Sequence, residues 1–119
     1  WSQVRVKGQP ISKLTSEEVL EEIGTEAMKG GHTVFYGKKY TSYGIASAAI
    51  RLALAVISDA HEELPVTNYY APLDTYLSYP ALVGRSGIIE QLQLTLTEEE
   101  EAKLARSAQF IQEKFSEHI

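Results

Sequence analysis

Cysteine is absent from this chain of 119 residues, and its absence excludes disulfides, thiolate metal sites and cysteine nucleophiles. Basic residues are few: 11 Lys and Arg against 16 Asp and Glu give a net charge of −5. Nucleic acids and anionic membranes attract basic surfaces, so neither is expected as a partner. The most apolar stretch, residues 43–57, carries Arg51 and is shorter than the roughly 18 apolar residues of a membrane-spanning helix.

Motifs for phosphates and metals are also missing. No G-x-G-x-x-G occurs, and Gly31–Lys38 has the wrong spacing for a phosphate loop. His61-Glu62-Glu63 is no zinc motif, and we interpret His61 as a favourable charge at a helix end. No serine–histidine–aspartate set, no poised pair of carboxylates and no cluster of metal ligands emerges, so we predict no catalytic residue and no metal site in this chain.

Apolar residues make up 44% of the chain and charged residues 23%, which is typical of one folded domain. Residues 3–6 alternate like a strand. Thr15 and Glu18 form a predicted capping box that opens a helix, and Gly30-Gly31 is predicted to end it. The stretch 33–36 is compatible with strand or helix, and Gly37 favours a break there.

The second predicted helix, residues 43–57, is apolar nearly all round. Thr41 or Ser42 can cap it, and for Thr41 the cap competes with a role as a substrate-contacting hydroxyl. Such a helix is expected to be buried, with one face in the core and another against a partner.

After residue 65, apolar and polar residues alternate with a period of two, which predicts strands at 66–70, 75–79 and 88–96. Thr97 with Glu100 is a second capping box, and it opens the last helix. Strands grouped between helices favour an α+β fold with an antiparallel sheet packed with long helices.

The run Gly37–Ala46 resembles a segment of the lactate/malate dehydrogenase family, Lys-Gly-Tyr-Thr-Ser followed by an aromatic residue, a small residue and Ile. The likeness continues in order through 77–88, 94–100 and 104–108, and Trp1–Gly8 is similar to the stretch after the family's catalytic-histidine motif. Within the family, the chain looks most like the L-lactate and L-2-hydroxyisocaproate dehydrogenases of lactic acid bacteria.

This resemblance implies that residues 1–119 are the C-terminal substrate domain of an NAD-dependent L-2-hydroxy acid dehydrogenase. The acid–base histidine, the carboxylate-binding arginines and most of the NAD site would belong to an N-terminal domain that the chain lacks. Thr41 matches a threonine that lines the substrate site, and Ile45 matches an apolar residue against the nicotinamide ring. Gly31, His32 and Phe35 fall in the segment that faces the substrate's side chain, and Gly30-Gly31 would leave room for a branched alkyl group.

The resemblance also implies a cytoplasmic homo-oligomer formed through helix 42–58 and a small 2-oxo or 2-hydroxy acid as substrate. By itself the chain is expected to be inactive. The alternatives are a non-catalytic self-associating domain and part of a malate dehydrogenase, although Thr41 in place of a small apolar residue argues against the latter.

Overall fold

The computed structural model describes residues 1–119 and contains three α-helices, two single-turn 3-10 helices and five strands. The bounds of the α-helices and strands, in chain order, are β1 (Arg5–Val6), β2 (Gln9–Pro10), α1 (Glu17–Lys38), α2 (Ser42–Ile57), β3 (Glu62–Tyr70), β4 (Thr75–Gly84), β5 (Gly87–Gln91) and α3 (Glu98–Glu117). The chain divides into two units, residues 1–50 (unit 1) and residues 51–119 (unit 2). None of the three helices is both long enough and apolar enough to cross a bilayer.

Unit 1 begins with an antiparallel hairpin of β1 and β2, joined by Lys7 and Gly8. Both residues have positive φ, 51° and 82°, which is the conformation of a tight two-residue hairpin turn. The expected strand at 3–6 is therefore present but shorter.

Helix α1 begins one residue later than predicted and ends much later. Ser16, not Thr15, is its N-cap, because the Ser16 side chain accepts a hydrogen bond from the Val19 N–H. The helix runs through Gly30-Gly31 and the stretch 33–36 to Lys38, so the predicted stop and the predicted break at Gly37 are both wrong. It ends at Lys39, which has a left-handed conformation with φ of 70°.

Unit 2 holds a three-stranded antiparallel sheet in the order β3-β4-β5. Every second residue of β4, from Thr75 to Val83, is buried, and the residues between them are more exposed except at the end of the strand. The matching residues of β3, among them Leu64 and Asn68, lie opposite them in register. One face of the sheet is thus covered, which confirms the predicted α+β fold; no Rossmann-type parallel sheet is present in residues 1–119.

Two clusters of apolar residues cover that face. The first joins Ala55 of α2 to Leu64 and Val83 of the sheet. The second joins Ala108 of α3 to Leu77 and Tyr79 of β4. Helix α3 begins with the predicted capping box, in which Thr97 and Glu100 bond reciprocally.

Helix α2 matches its predicted bounds but is not buried nearly all round. Only Ala55 is buried, while Leu52 and Val56 are half-buried. Ile50, Leu54 and Ile57 expose 60%, 58% and 71% of their surface. One face therefore reaches the core, as expected, and the rest is open in the single chain.

Candidate functional site

Unit 1 contains a cavity of about 780 Å³ between the second half of α1 and the first turn of α2. All five residues singled out from the sequence lie on its wall: Gly31, His32, Phe35, Thr41 and Ile45. The structure thus brings together residues of α1 and of the first turn of α2 that are separated in the chain.

The turn between the two helices shapes this cavity. The N–H of Lys39 donates to the carbonyl oxygen of Phe35 at 2.6 Å, which closes the last turn of α1. Lys39 then adopts a left-handed conformation, which ends the helix, and Thr41 directly precedes the first residue of α2, Ser42. Thr41 therefore lies both at the N-terminus of α2 and on the cavity wall. Its position is compatible with both predicted roles, as a helix cap and as a hydroxyl that contacts the substrate.

The wall is largely apolar and aromatic. Phe35 and Ile45 expose 48% and 70% of their surface. The rings of Tyr40 and Tyr43, both on the wall, have centroids 5.9 Å apart. An apolar cavity with few polar groups is the usual form of a small-molecule site.

Charge in the cavity has one sign. Lys38 is the one Lys or Arg on the wall, and no Asp or Glu lies there. Its Nζ is 5.9 Å from the centroid of the Tyr43 ring, within cation–π range. In a chain of net charge −5, the cavity is therefore a place where a small anion meets no carboxylate.

Sequence reasoning missed several wall residues, notably Met28 and Lys38. The signal was present: Met28, Gly31, Phe35 and Lys38 recur at helical spacing once the helix is allowed to pass the glycines. Because the helix was predicted to end at Gly30-Gly31, these residues were not recognised as one face of a helix.

His61 lies in unit 2. The sequence predicted that it would act as a charge at the end of α2, and the structure places it elsewhere. The helix ends at Ile57, and the Nε2 of His61 is 3.1 Å from Oδ1 of Asp59. The same Asp59 oxygen accepts the Arg85 N–H at 2.8 Å, and this bond lowers the pKa of the Asp59 carboxyl. Asp59 thus links His61 to Arg85 in the β4–β5 turn, and these residues form no metal-binding cluster.

Comparison with known proteins supports a family assignment. Residues 1–119 match the family described as lactate/malate dehydrogenase, alpha/beta C-terminal domain. L-lactate dehydrogenase 3 of Bacillus cereus is 32% identical over 118 residues, which cover 90% of this chain and 37% of that protein.

Solved structures agree with this assignment. A lactate dehydrogenase from a Medee basin deep-sea metagenome library matches with a TM-score of 0.92 at 26% identity, over 98% of this chain and 40% of that one. The malate dehydrogenase of Aeropyrum pernix matches with a TM-score of 0.86 at 28% identity, over 94% of this chain and 39% of that one. The chain spans about two fifths of the length of these relatives. It belongs to the lactate/malate dehydrogenase family, an enzyme family of oxidoreductases, and corresponds to its α/β C-terminal domain.

Proposed function

We propose that this chain is the substrate-side domain of an NAD-dependent L-2-hydroxy acid dehydrogenase of the cytoplasm. The observation that carries the proposal is the cavity in unit 1, where Thr41, Ile45, Gly31, His32 and Phe35 share one wall. In this proposal a nucleotide-binding domain supplies the acid–base histidine, the carboxylate-binding arginines and most of the NAD site.

Thr41 is proposed to position the substrate. Its hydroxyl can both donate and accept a hydrogen bond, and it stands on the cavity wall beside the first turn of α2. A 2-oxo acid offers acceptor oxygens at C1 and C2, so a fixed hydroxyl restricts how the acid lies. A hydroxyl at this position, rather than a small apolar side chain, favours a lactate-type over a malate-type enzyme.

Ile45 is proposed to contact the nicotinamide. It lies four residues after Thr41, lines the cavity and is 70% exposed overall, so a flat ring could cover it and exclude water. The residues present therefore fit the ring end of the cofactor. An apolar neighbour disfavours a charged ring and so favours the neutral, reduced form. When bound, the nicotinamide gives or takes the hydride at C2 of the substrate.

Gly31, His32 and Phe35 are proposed to face the substrate's side chain. They are on one stretch of α1, and the two neighbouring glycines keep that part of the wall without side chains. Discrimination by apolar contact is worth about 1–3 kcal/mol per methylene, so the preference for larger side chains should be graded.

Self-association through helix 42–58 is part of the proposal. Ile50, Leu54 and Ile57 are large apolar residues that remain exposed in the single chain, and exposed apolar faces mark protein contacts. The same observation favours the second candidate function, a self-associating domain without catalysis.

An enzyme assay separates the two candidates. NADH oxidation is followed with pyruvate, 2-oxoisocaproate and oxaloacetate, using the polypeptide that joins this chain to a nucleotide-binding domain, and using the 119 residues alone. We expect turnover by the joined polypeptide and none by the 119 residues. Turnover by the 119 residues would contradict the proposed division of labour, and no turnover by either would favour the non-catalytic candidate.

A further inference from the structure

The thioether of Met28 holds the one sulfur atom in residues 1–119, because the chain has a single methionine and no cysteine. Methionine side chains usually fill gaps in apolar cores. Met28 instead exposes 73% of its surface, more than any other large apolar residue except the terminal Ile119. Its side chain is therefore open to reagents in solution, and packing within the chain does not account for its position.

Met28 also lies on the wall of the cavity in unit 1. Met28, Phe35 and Lys38 recur at helical spacing on α1, and all three line that cavity. The wall also includes the apolar side chains of Val34 and Ile45. A chemical change at the Met28 sulfur therefore changes the polarity of the candidate site itself and not that of a remote surface.

The chemistry open to this side chain is oxidation by a peroxide. The sulfur gives an electron pair to one peroxide oxygen, an S–O bond forms, the O–O bond breaks and, from hydrogen peroxide, water leaves. The sulfur is oxidised and the peroxide is reduced. The product, methionine sulfoxide, is polar, and reductases return it to methionine. Because cysteine is absent, no thiol of residues 1–119 competes for the oxidant.

We propose that Met28 is a modification site, at which a peroxide forms the sulfoxide and thereby lowers turnover at the cavity of unit 1. This rests on the proposed function and adds a reversible form of regulation to the same site. A sulfoxide oxygen accepts hydrogen bonds from water, and an apolar group that covers it removes that water without replacing the bond. Oxidation therefore disfavours the liganded state of the cavity, and reduction restores it.

The test treats the polypeptide that joins this chain to a nucleotide-binding domain with hydrogen peroxide. Mass spectrometry of the peptide that contains Met28 gives the oxidised fraction, and NADH oxidation gives kcat/KM with the best of pyruvate, 2-oxoisocaproate and oxaloacetate. We expect the mass of one oxygen atom to be added to that peptide and kcat/KM to fall at least about fivefold. Methionine sulfoxide reductases should reverse both changes.

Two variants show whether the loss arises at the cavity wall. Met28→Leu keeps an apolar side chain of similar volume but has no sulfur. Met28→Leu/Glu26→Met moves the thioether to an exposed position of the same helix that does not line the cavity. Each variant is compared with itself before and after peroxide. Both should keep kcat/KM within about twofold, although the double variant gains a sulfoxide at position 26.

Three outcomes would overturn the inference alone: no sulfoxide at Met28, a sulfoxide there without loss of kcat/KM, or an equal loss in either variant. No turnover by the untreated polypeptide with any of the three acids would overturn the proposed function and this inference together.

Discussion

The two units bury very different amounts of their apolar side chains. In unit 1, Leu20 is the one buried residue of the chain's first fifty. Unit 2 holds all the others, including Leu77, Tyr79, Ala81 and Val83 on one face of β4. Unit 2 thus has a core of its own, whereas unit 1 presents helices whose apolar residues remain accessible.

The difference coincides with the location of the candidate site. The cavity lies entirely in unit 1, where side chains such as Phe35 and Ile45 are left free to meet a ligand. Binding segments are commonly drawn from the less stable parts of a protein, because residues committed to a core cannot also contact a ligand. The comparison therefore predicts that stability is set in unit 2 and that unit 1 tolerates change outside its cavity.

The largest expected effect is the loss of a core leucine from unit 2. Leu77 is 4% exposed and packs with Tyr79 and Ala108, so Leu77→Ala should lower the free energy of unfolding by about 2–5 kcal/mol. Leu14 of unit 1 is 52% exposed, and Leu14→Ala should change the free energy of unfolding by no more than about 0.5 kcal/mol. Urea denaturation followed by circular dichroism measures both. Equal losses in the two variants would show that unit 1 contributes to the core as much as unit 2.

A smaller pair of effects with opposite signs comes from left-handed residues. Lys39 in unit 1 has φ of 70°, a conformation that costs a non-glycine residue roughly 1–2 kcal/mol, so Lys39→Gly should stabilise the chain by about 1 kcal/mol. Gly87 in unit 2 has φ of 90°, and Gly87→Ala should destabilise it by at least about 1 kcal/mol. The same denaturation experiment applies, and stabilisation by both variants would contradict this explanation.

Sequence patterns predicted the fold class and most elements, because these follow from local chemistry. The capping box at Thr97 and Glu100 needs only neighbouring residues, and it is present as predicted. The predicted strand at 88–96 ends at Gln91, although Leu92, Leu94 and Leu96 do alternate in burial with Gln93 and Thr95. In residues 92–96 the period of two therefore reflects alternating burial of the side chains and not a strand.

The reason that β5 stops is visible only once the strands are paired. The Leu92 N–H donates to the carbonyl oxygen of Pro80 at 3.0 Å. Proline has no N–H to return the second bond of an antiparallel pair, so the ladder ends there. No pattern within 88–96 contains this information.

Gly30-Gly31 misled the prediction for a related reason. A glycine inside a helix costs only about 1 kcal/mol relative to alanine, so a pair of glycines weakens a helix without necessarily ending it. The helix therefore continues. The candidate site itself was predicted by resemblance to a family. Met28 and Lys38 were missed because the predicted end of the helix at Gly30-Gly31 separated them, whereas in the structure they belong to one continuous helix.

The smallest expected effect concerns Asp59 of unit 2, through the pH dependence of stability. The Arg85 N–H, and then His61, hold the pKa of the Asp59 carboxyl below its ordinary value. Its contribution is therefore present above the unfolded-state pKa of about 3.9 and is lost as the pH falls through the lower folded-state pKa. Asn still accepts the Arg85 N–H but has no charge to lose, so the stability difference between wild type and Asp59→Asn should shrink as the pH falls below about 4. Urea midpoints measured between neutral and acidic pH test this, with Glu26→Gln on the exposed surface of unit 1 as the control that should keep the wild-type profile. A wild-type profile in Asp59→Asn would show that the charge of the Asp59 carboxylate adds nothing to the stability of the β4–β5 turn.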